Sequence, residues 1–342
     1  MRGLLAGLAA AFALATGAAA KPLVVILAEP EGTEITDAFT PYAILAESGA
    51  VEVKIVAPSA GPVRLMPGVA WVAPQTTFAE LARLRPDGPD VVIVPALRDE
   101  DDRAVLNWLR AQARGGARIM SICNGARVLA KTGLLDGREA TVHWFSVGKM
   151  RKAHPKVAWR QDRRWVSDGP ITTTAGISAS APASLNLLRE LAGEPVMRAT
   201  AQRLGLPPPD PRHNGRDYHL TLRGMATVVL NRAAFWQRED VGVRITPGFD
   251  EMAFATTLDG WSRTYRSEGW ATGPAATRSR HGLTVLRHQA PPARFDRLVV
   301  PPVRNPTEST FGQIRTAYGE LTARFVALQF EHPWGAISAW PT

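Results

Sequence analysis

The stretch Ala117-Arg118-Ile119-Met120-Ser121-Ile122-Cys123-Asn124-Gly125-Ala126-Arg127-Val128-Leu129-Ala130-Lys131 decides the fold. Its first residues form a short apolar run that reads as a buried strand. Its last residues read as a helix that closes at Gly133. Cys123, the only cysteine in the chain, falls on the sharp turn between them. Such a turn presents a side chain at the carboxyl end of a strand, beside free helix amides. Those amides and the helix dipole favour a thiolate, so a depressed thiol pKa is expected. Gly125 supplies the close backbone approach that an elbow of this kind needs. The alternative is a lone cysteine packed as a small hydrophobe.

Working outward, short apolar runs alternate with helical segments. Leu23–Leu27, Val51–Val56 and Val91–Pro95 read as strands, the first and last buried on both faces. Asp37–Ser48 reads as a helix ended by Gly49. Asp101–Ala113 reads as another, with Val105, Leu106 and Leu109 on one face, stopped by Gly115-Gly116. Ser184–Leu191 and Glu194–Leu204 supply the last helical turns of this unit. The alternation predicts an α/β fold: a flavodoxin-like, doubly wound parallel sheet sandwiched by helices, with its site at the carboxyl ends of the strands, where Cys123 lies.

The run from Cys123, CNGARVLAKTGLLDGREATVHW, and the later segment Thr172-Thr173-Thr174-Ala175-Gly176-Ile177-Ser178-Ala179 resemble the ThiJ/PfpI superfamily, the class I glutamine amidotransferase-like proteins. The resemblance covers about residues 22–205. It is greatest to the branch of isonitrile hydratases and of amidotransferase-like domains in transcription regulators. It implies that Cys123 is the nucleophile and that Asp37, four residues before Pro41, is the acid beside it. Asp37 also suits a helix N-cap, and Glu34 is the fallback acid. His143, in Thr141-Val142-His143-Trp144, corresponds to the family's histidine after the nucleophile helix; hydrogen bonding for packing is its other reading. Asn124 follows the nucleophile, and its backbone N–H is placed to help hold an oxyanion. Relatives usually carry Pro-Gly-Gly where this chain reads Pro95-Ala96-Leu97. The Ala96 amide, with Gly125, is left to complete the oxyanion and substrate contacts. The histidine that directly follows the cysteine in the superfamily's proteases is absent, which argues against peptide hydrolysis. No metal or nucleotide cofactor is implied: no cluster of ligating side chains and no phosphate-cradling glycine loop is present.

Arg2, the apolar run Leu4–Leu14 and the Ala18-Ala19-Ala20 site read as a secretory signal spanning residues 1–20, so export to the periplasm or medium is expected. No other apolar run is long enough to span a bilayer, and no stable membrane span is expected after cleavage. The net charge of +9 is dominated by arginine, with a cluster at Arg160, Arg163 and Arg164; without a nucleic-acid-binding motif it reads as a solvated surface. The expected partner is a small molecule, with no nucleic acid; a homodimer is compatible.

Serial prolines in Gly205-Leu206-Pro207-Pro208-Pro209 end the first unit, residues 21–205. Residues 206–239 read as a linker and a connecting helix, Asp217–Gln237, capped by Asp217, with Leu220, Met225, Val228 and Val229 turned to packing. Residues 240–342 echo residues 23–95: strand, loop, helix, strand, and then Asp296-Arg297-Leu298-Val299-Val300-Pro301 against Asp90-Val91-Val92-Ile93-Val94-Pro95. This degenerate second unit has no cysteine, and Ala253 stands near the place of the acid. It is expected to support a site that the first unit holds by itself. The functional expectation is a hydrolase or hydro-lyase acting on a small electrophile, with a ligand-binding or redox-sensing module as the alternative.

Overall fold

The computed structural model describes residues 20–334; the signal-like segment 1–20, but for Ala20, and the last eight residues of the second unit lie outside the described residues. A seven-stranded sheet runs in the order Trp165–Asp168, Ile171–Thr174, Arg118–Ser121, Val91–Val94, Leu23–Leu27, Glu52–Ala57, Thr76–Thr77. Its strands are parallel except for the antiparallel edge Trp165–Asp168. Continuous apolar strands are what a sheet covered on both faces requires, and Leu23–Leu27 and Val91–Val94 are buried throughout. The fold is the flavodoxin-like α/β sandwich expected.

Helix boundaries follow their caps. The first helix spans Ile35–Ser48 and closes on Gly49 in the left-handed region. Its N-cap is Glu34, whose carboxylate accepts the Asp37 N–H at 2.5 Å; Asp37 is inside the first turn and is not the cap. The helix Arg103–Arg114 starts from Asp102, which bonds the amides of Ala104 and Val105.

The second unit holds a three-stranded parallel sheet with Glu239–Arg244 between Ser267–Thr272 and Arg297–Val299. Helix Glu251–Ser262 connects the first two strands. The first unit places Leu23–Leu27 between Glu52–Ala57 and Val91–Val94 in the same arrangement, with helix Ile35–Ser48 as the crossover. Even the strand-opening aspartates match. Asp90 Oδ2 accepts the Leu23 N–H at 2.7 Å, and Asp296 Oδ2 accepts the Asp240 N–H at 2.8 Å. Asp250 caps its helix as Glu34 caps the other, and Ala253 occupies the place of Asp37. Among the described residues, the second unit has no counterpart to the strand and elbow at Cys123.

The two units share one core. Helix Ile35–Ser48 packs on helix Glu251–Ser262, where the rings of Phe39 and Phe254 lie 6.3 Å apart. Strand Ala70–Ala73 pairs antiparallel with Thr284–Leu286, joining both units in a five-stranded sheet. The two units therefore meet through equivalent elements, as the halves of a two-fold dimer would.

The connecting segment differs from its expectation. Gly215–Asp217 is a single 3-10 turn, and the helix is shorter, Leu222–Ala233, capped by Thr221. Leu220, Met225 and Val229 are exposed, contrary to a packing role. The inward positions are taken by Gly224, Thr227 and Asn231.

Candidate active site

Cys123 sits between strand Arg118–Ser121 and helix Gly125–Thr132 with φ of 55°, a left-handed conformation that costs a non-glycine residue on the order of 1 kcal/mol or more. The surroundings impose it. The Ile122 N–H bonds the Val94 carbonyl at 2.9 Å, and the Cys123 N–H donates to Thr174 Oγ1 at 3.2 Å. A Cβ at position 125 would lie 2.0 Å from the Val94 carbonyl oxygen, so only glycine lets the elbow close on that strand.

The thiol is 4% exposed and Asp37 is fully buried. Asp37 Oδ2 accepts the Ala96 N–H at 3.1 Å, while Oδ1 has no hydrogen-bond partner. Burial pushes the Asp37 carboxyl up to about 7, and the Ala96 amide only partly offsets it. Burial likewise holds Glu34 well above the ordinary carboxylate range, with the Asp259 and Asp37 charges adding to the effect. For Cys123, burial and then the Asp37 and Glu34 charges push the thiol well above its ordinary value. The expected depression is therefore overturned: the Arg263 charge and the Asn124 backbone N–H act in the opposite direction but are smaller.

Arg263, which sequence reasoning missed, comes from the second unit. Its Nη2 lies 3.2 Å from Glu34 Oε1 and its Nε 2.5 Å from Asp259 Oδ1. Asp259 Oδ2 accepts the Thr36 hydroxyl at 2.9 Å. One guanidinium thus serves three buried carboxyls, Glu34, Asp37 and Asp259. That imbalance favours a proton retained on the cluster.

The remaining expected residues divide. The Asn124 side-chain oxygen accepts from Ser146 Oγ at 2.6 Å, and its backbone N–H directly follows the cysteine at the start of helix Gly125–Thr132. The Ala96 N–H is taken by Asp37 and the Gly125 N–H by the Ile122 carbonyl at 2.8 Å, so neither amide is free for an oxyanion in this state. His143 caps helix Trp144–Ala153 through Nδ1, which accepts from Phe145 N–H at 3.3 Å; Nε2 donates to the Gln329 carbonyl at 3.0 Å. Trp144 Nε1 donates to the neighbouring Leu328 carbonyl at 2.9 Å. This His-Trp pair thereby bonds carbonyls in the last turn of helix Glu320–Phe330; the Leu328 carbonyl also accepts the N–H of the C-cap Glu331 at 3.0 Å. The His143 ring has a backbone partner on each nitrogen, and burial lowers its pKa. Thr174 was passed over because a threonine in a strand carries no local sign of bonding an elbow.

With this geometry in place, comparison with known proteins identifies the class. The DJ-1/PfpI family matches residues 22–190. The isonitrile hydratase of Pseudomonas putida is 31% identical over 179 residues, 51% of this chain and 75% of that protein. The chain thus belongs to the DJ-1/PfpI family. The HTH-type transcriptional regulator CdhR of Pseudomonas aeruginosa is 38% identical over 90 residues, 26% of each chain, so the match spans about a quarter of that regulator. A ThiJ/PfpI family protein from Pseudomonas syringae, 22% identical, superposes with a TM-score of 0.51 over 69% of this chain and 90% of its own, which shows the fold.

Proposed function

We propose that this chain is a cysteine-dependent hydro-lyase or hydrolase acting on a small electrophile, an isonitrile or a carbonyl compound. One observation carries the reading: Asp37, buried beside Cys123, has a carboxyl raised to about 7 and one unpartnered oxygen. A group with that pKa can both take and give a proton near neutral pH. The named activity of the Pseudomonas putida relative supports the substrate class.

In this reading Sγ bonds the electrophilic carbon while its proton passes to the Asp37 carboxylate. The resulting carboxyl returns the proton to the substrate, and for an isonitrile the product of this half is a thioimidate. Water then adds to that carbon, the S–C bond breaks, and the sulfur recovers a proton. The net change is the addition of one water to R–N≡C, giving R–NH–CHO. The Asn124 amide N–H is the donor placed to meet charge developing near the sulfur. Arg263 is a positioning residue: it acts through Glu34, which holds the Asp37 amide.

The test is turnover of a panel of small isonitriles and dicarbonyls, read by proton NMR, for wild type, Cys123→Ser and Asp37→Asn. Turnover by wild type alone is the expected result. No turnover by wild type, or turnover undiminished in Cys123→Ser, overturns the reading.

A second reading, a ligand-sensing module, is favoured by a cavity of about 750 Å³ between the units. Its lining includes Thr36, Thr40, Thr256, Met252, Glu308 and His332. Saturable thermal stabilisation by a compound that is not turned over would favour it. No nucleic-acid partner belongs to either reading; saturable binding of duplex DNA in a gel shift would overturn that. Among the described residues, no helix is long and apolar enough to cross a membrane. Export through the signal-like residues 1–20 is part of the proposal, and an unprocessed N-terminus on chain recovered from the cytoplasm would count against it.

A further inference from the structure

Helix Leu222–Ala233 is amphipathic in the inverted sense. Its inward side carries Gly224, Thr227 and Asn231, and Asn231 Nδ2 donates to the Thr264 carbonyl at 2.9 Å and to Thr322 Oγ1 at 3.3 Å. Its outward side carries Leu222, Met225, Val229 and Leu230, exposed to 81%, 44%, 64% and 67%. Just beyond its end, Trp236 is exposed to 70%. At 3.6 residues per turn these apolar residues form one stripe, with Ala226 and Ala233 inside it. Arg223 borders one side of the stripe and Arg232 the other.

The two charges that border the stripe, Arg223 and Arg232, are both positive. Farther out the charges are balanced: Arg212 pairs with Asp210 at 2.8 Å and Arg238 with Glu268 at 3.4 Å. From Thr221 to Arg238 the chain carries no acid at all. The Arg232 Cζ lies over the Tyr265 ring, 4.3 Å from its centroid, which holds the guanidinium at the border while leaving its charge in place. A soluble helix would turn its leucines and valines to the core; this one turns Gly224, Thr227 and the hydrogen-bonded Asn231 inward and offers its leucines and valines outward.

We propose that this helix docks the protein on an anionic phospholipid surface. The apolar stripe would enter the acyl boundary, the bordering arginines would meet lipid phosphates, and Trp236 would sit at headgroup level. Charge complementarity selects this occupant: a protein partner would need an apolar groove with acidic rims on both sides, whereas an anionic bilayer supplies both features at any orientation in its plane. The inference is independent of the chemistry at Cys123.

The test is co-sedimentation of the full chain with vesicles of phosphatidylcholine alone and of phosphatidylcholine with phosphatidylglycerol. Wild type is compared with the double variant Val229→Gln, Leu230→Gln and, separately, with Leu222→Gln. These positions are exposed, so the folded state should be kept, and circular dichroism melts check that. The expected result is binding to the phosphatidylglycerol vesicles only, weakened by added salt. The double variant should lower the partition coefficient by about tenfold or more. Four results would each overturn the proposal: no binding to anionic vesicles, equal binding to both vesicle types, variants that bind like wild type, or a wild-type dimer in solution that the variants split.

Discussion

Arg263 of the second unit lies 3.2 Å from Glu34 of the first, and Glu34 in turn caps the helix that presents Asp37. The two residues are 229 positions apart. The contact links a unit without a nucleophile to the nucleophile's acid. It stands where the two repeated helices cross, so the cationic partner of the buried acids is supplied by the copy that lacks a cysteine.

The first prediction follows from that pair. Cys123 is raised by burial and by the Asp37 and Glu34 charges, and Arg263 is the nearby charge that opposes them. The pH profile of iodoacetamide reactivity should have its midpoint above the free-thiol value of about 8.5. Arg263→Gln should move it higher still, and it should destabilise the fold by about 3 to 5 kcal/mol, because buried carboxylates lose their partner. A wild-type midpoint below the free-thiol value, or a downward shift in the variant, would contradict the assignment.

Asp37→Asn should abolish turnover, by about a hundredfold or more for loss of the proton carrier, while folding is kept. The asparagine side-chain oxygen can still accept the Ala96 N–H, and the cap belongs to Glu34, so neither structural bond depends on the charge. Stability gives a second readout. The folded Asp37 holds its proton from the ordinary value of 3.8 up to about 7, where the unfolded chain has released it. The folded state binds more protons in that window, so the Asp37 contribution to stability falls as pH rises through it. The difference in melting temperature between wild type and Asp37→Asn should therefore grow in the variant's favour between about pH 4 and about pH 7. A flat difference would mean that Asp37 is ionised throughout.

Gly125→Ala tests the elbow. The added Cβ meets the Val94 carbonyl at 2.0 Å, a backbone atom in a central strand that has little room to retreat. The variant should lose about 3 kcal/mol or more, seen as a lower urea midpoint. An unchanged midpoint would show that the turn can relax without the approach seen here.

These residues also show what a sequence can and cannot carry. The elbow was legible because an apolar strand, a cysteine, a glycine and a helix stand next to one another, and Asp37 was legible through a family motif. The cap was not: Glu34 and Asp37 are both acids near the helix start, and only the extended backbone at Glu34, with its bond from the Asp37 N–H, decides between them. The thiol's environment was misread because a helix dipole is a local feature, whereas burial beside two carboxyls is tertiary. Arg263 carries no local pattern at all. The connecting helix was misjudged for a related reason: periodicity reveals an apolar stripe but not which way it faces, and here Asn231, bonded to Thr264 and Thr322, turns inward together with Gly224 and Thr227.

The last prediction concerns the first unit alone. The sequence suggests that residues 21–205 hold the site by themselves, but the structure removes three supports when the chain stops there. Loss of Arg263 and Asp259 takes from Glu34 its guanidinium partner and from the Thr36 hydroxyl its acceptor. The His143 and Trp144 rings lose the carbonyls of Gln329 and Leu328. The buried helix Ile35–Ser48 loses Phe254 and the rest of helix Glu251–Ser262, which exposes a large apolar face. A chain of residues 21–205 should therefore self-associate, and light scattering should find dimers or larger species in place of a monomer. Because the helix faces are equivalent between units, a dimer through Ile35–Ser48 is the expected soluble form, with a second copy standing in for the missing unit. Such a dimer would still lack Arg263, since the first unit carries Gly49 just past the end of its own helix. Its thiol should titrate higher than in the full chain. A monodisperse monomer with an unchanged thiol titration would show that the second unit contributes nothing to the site.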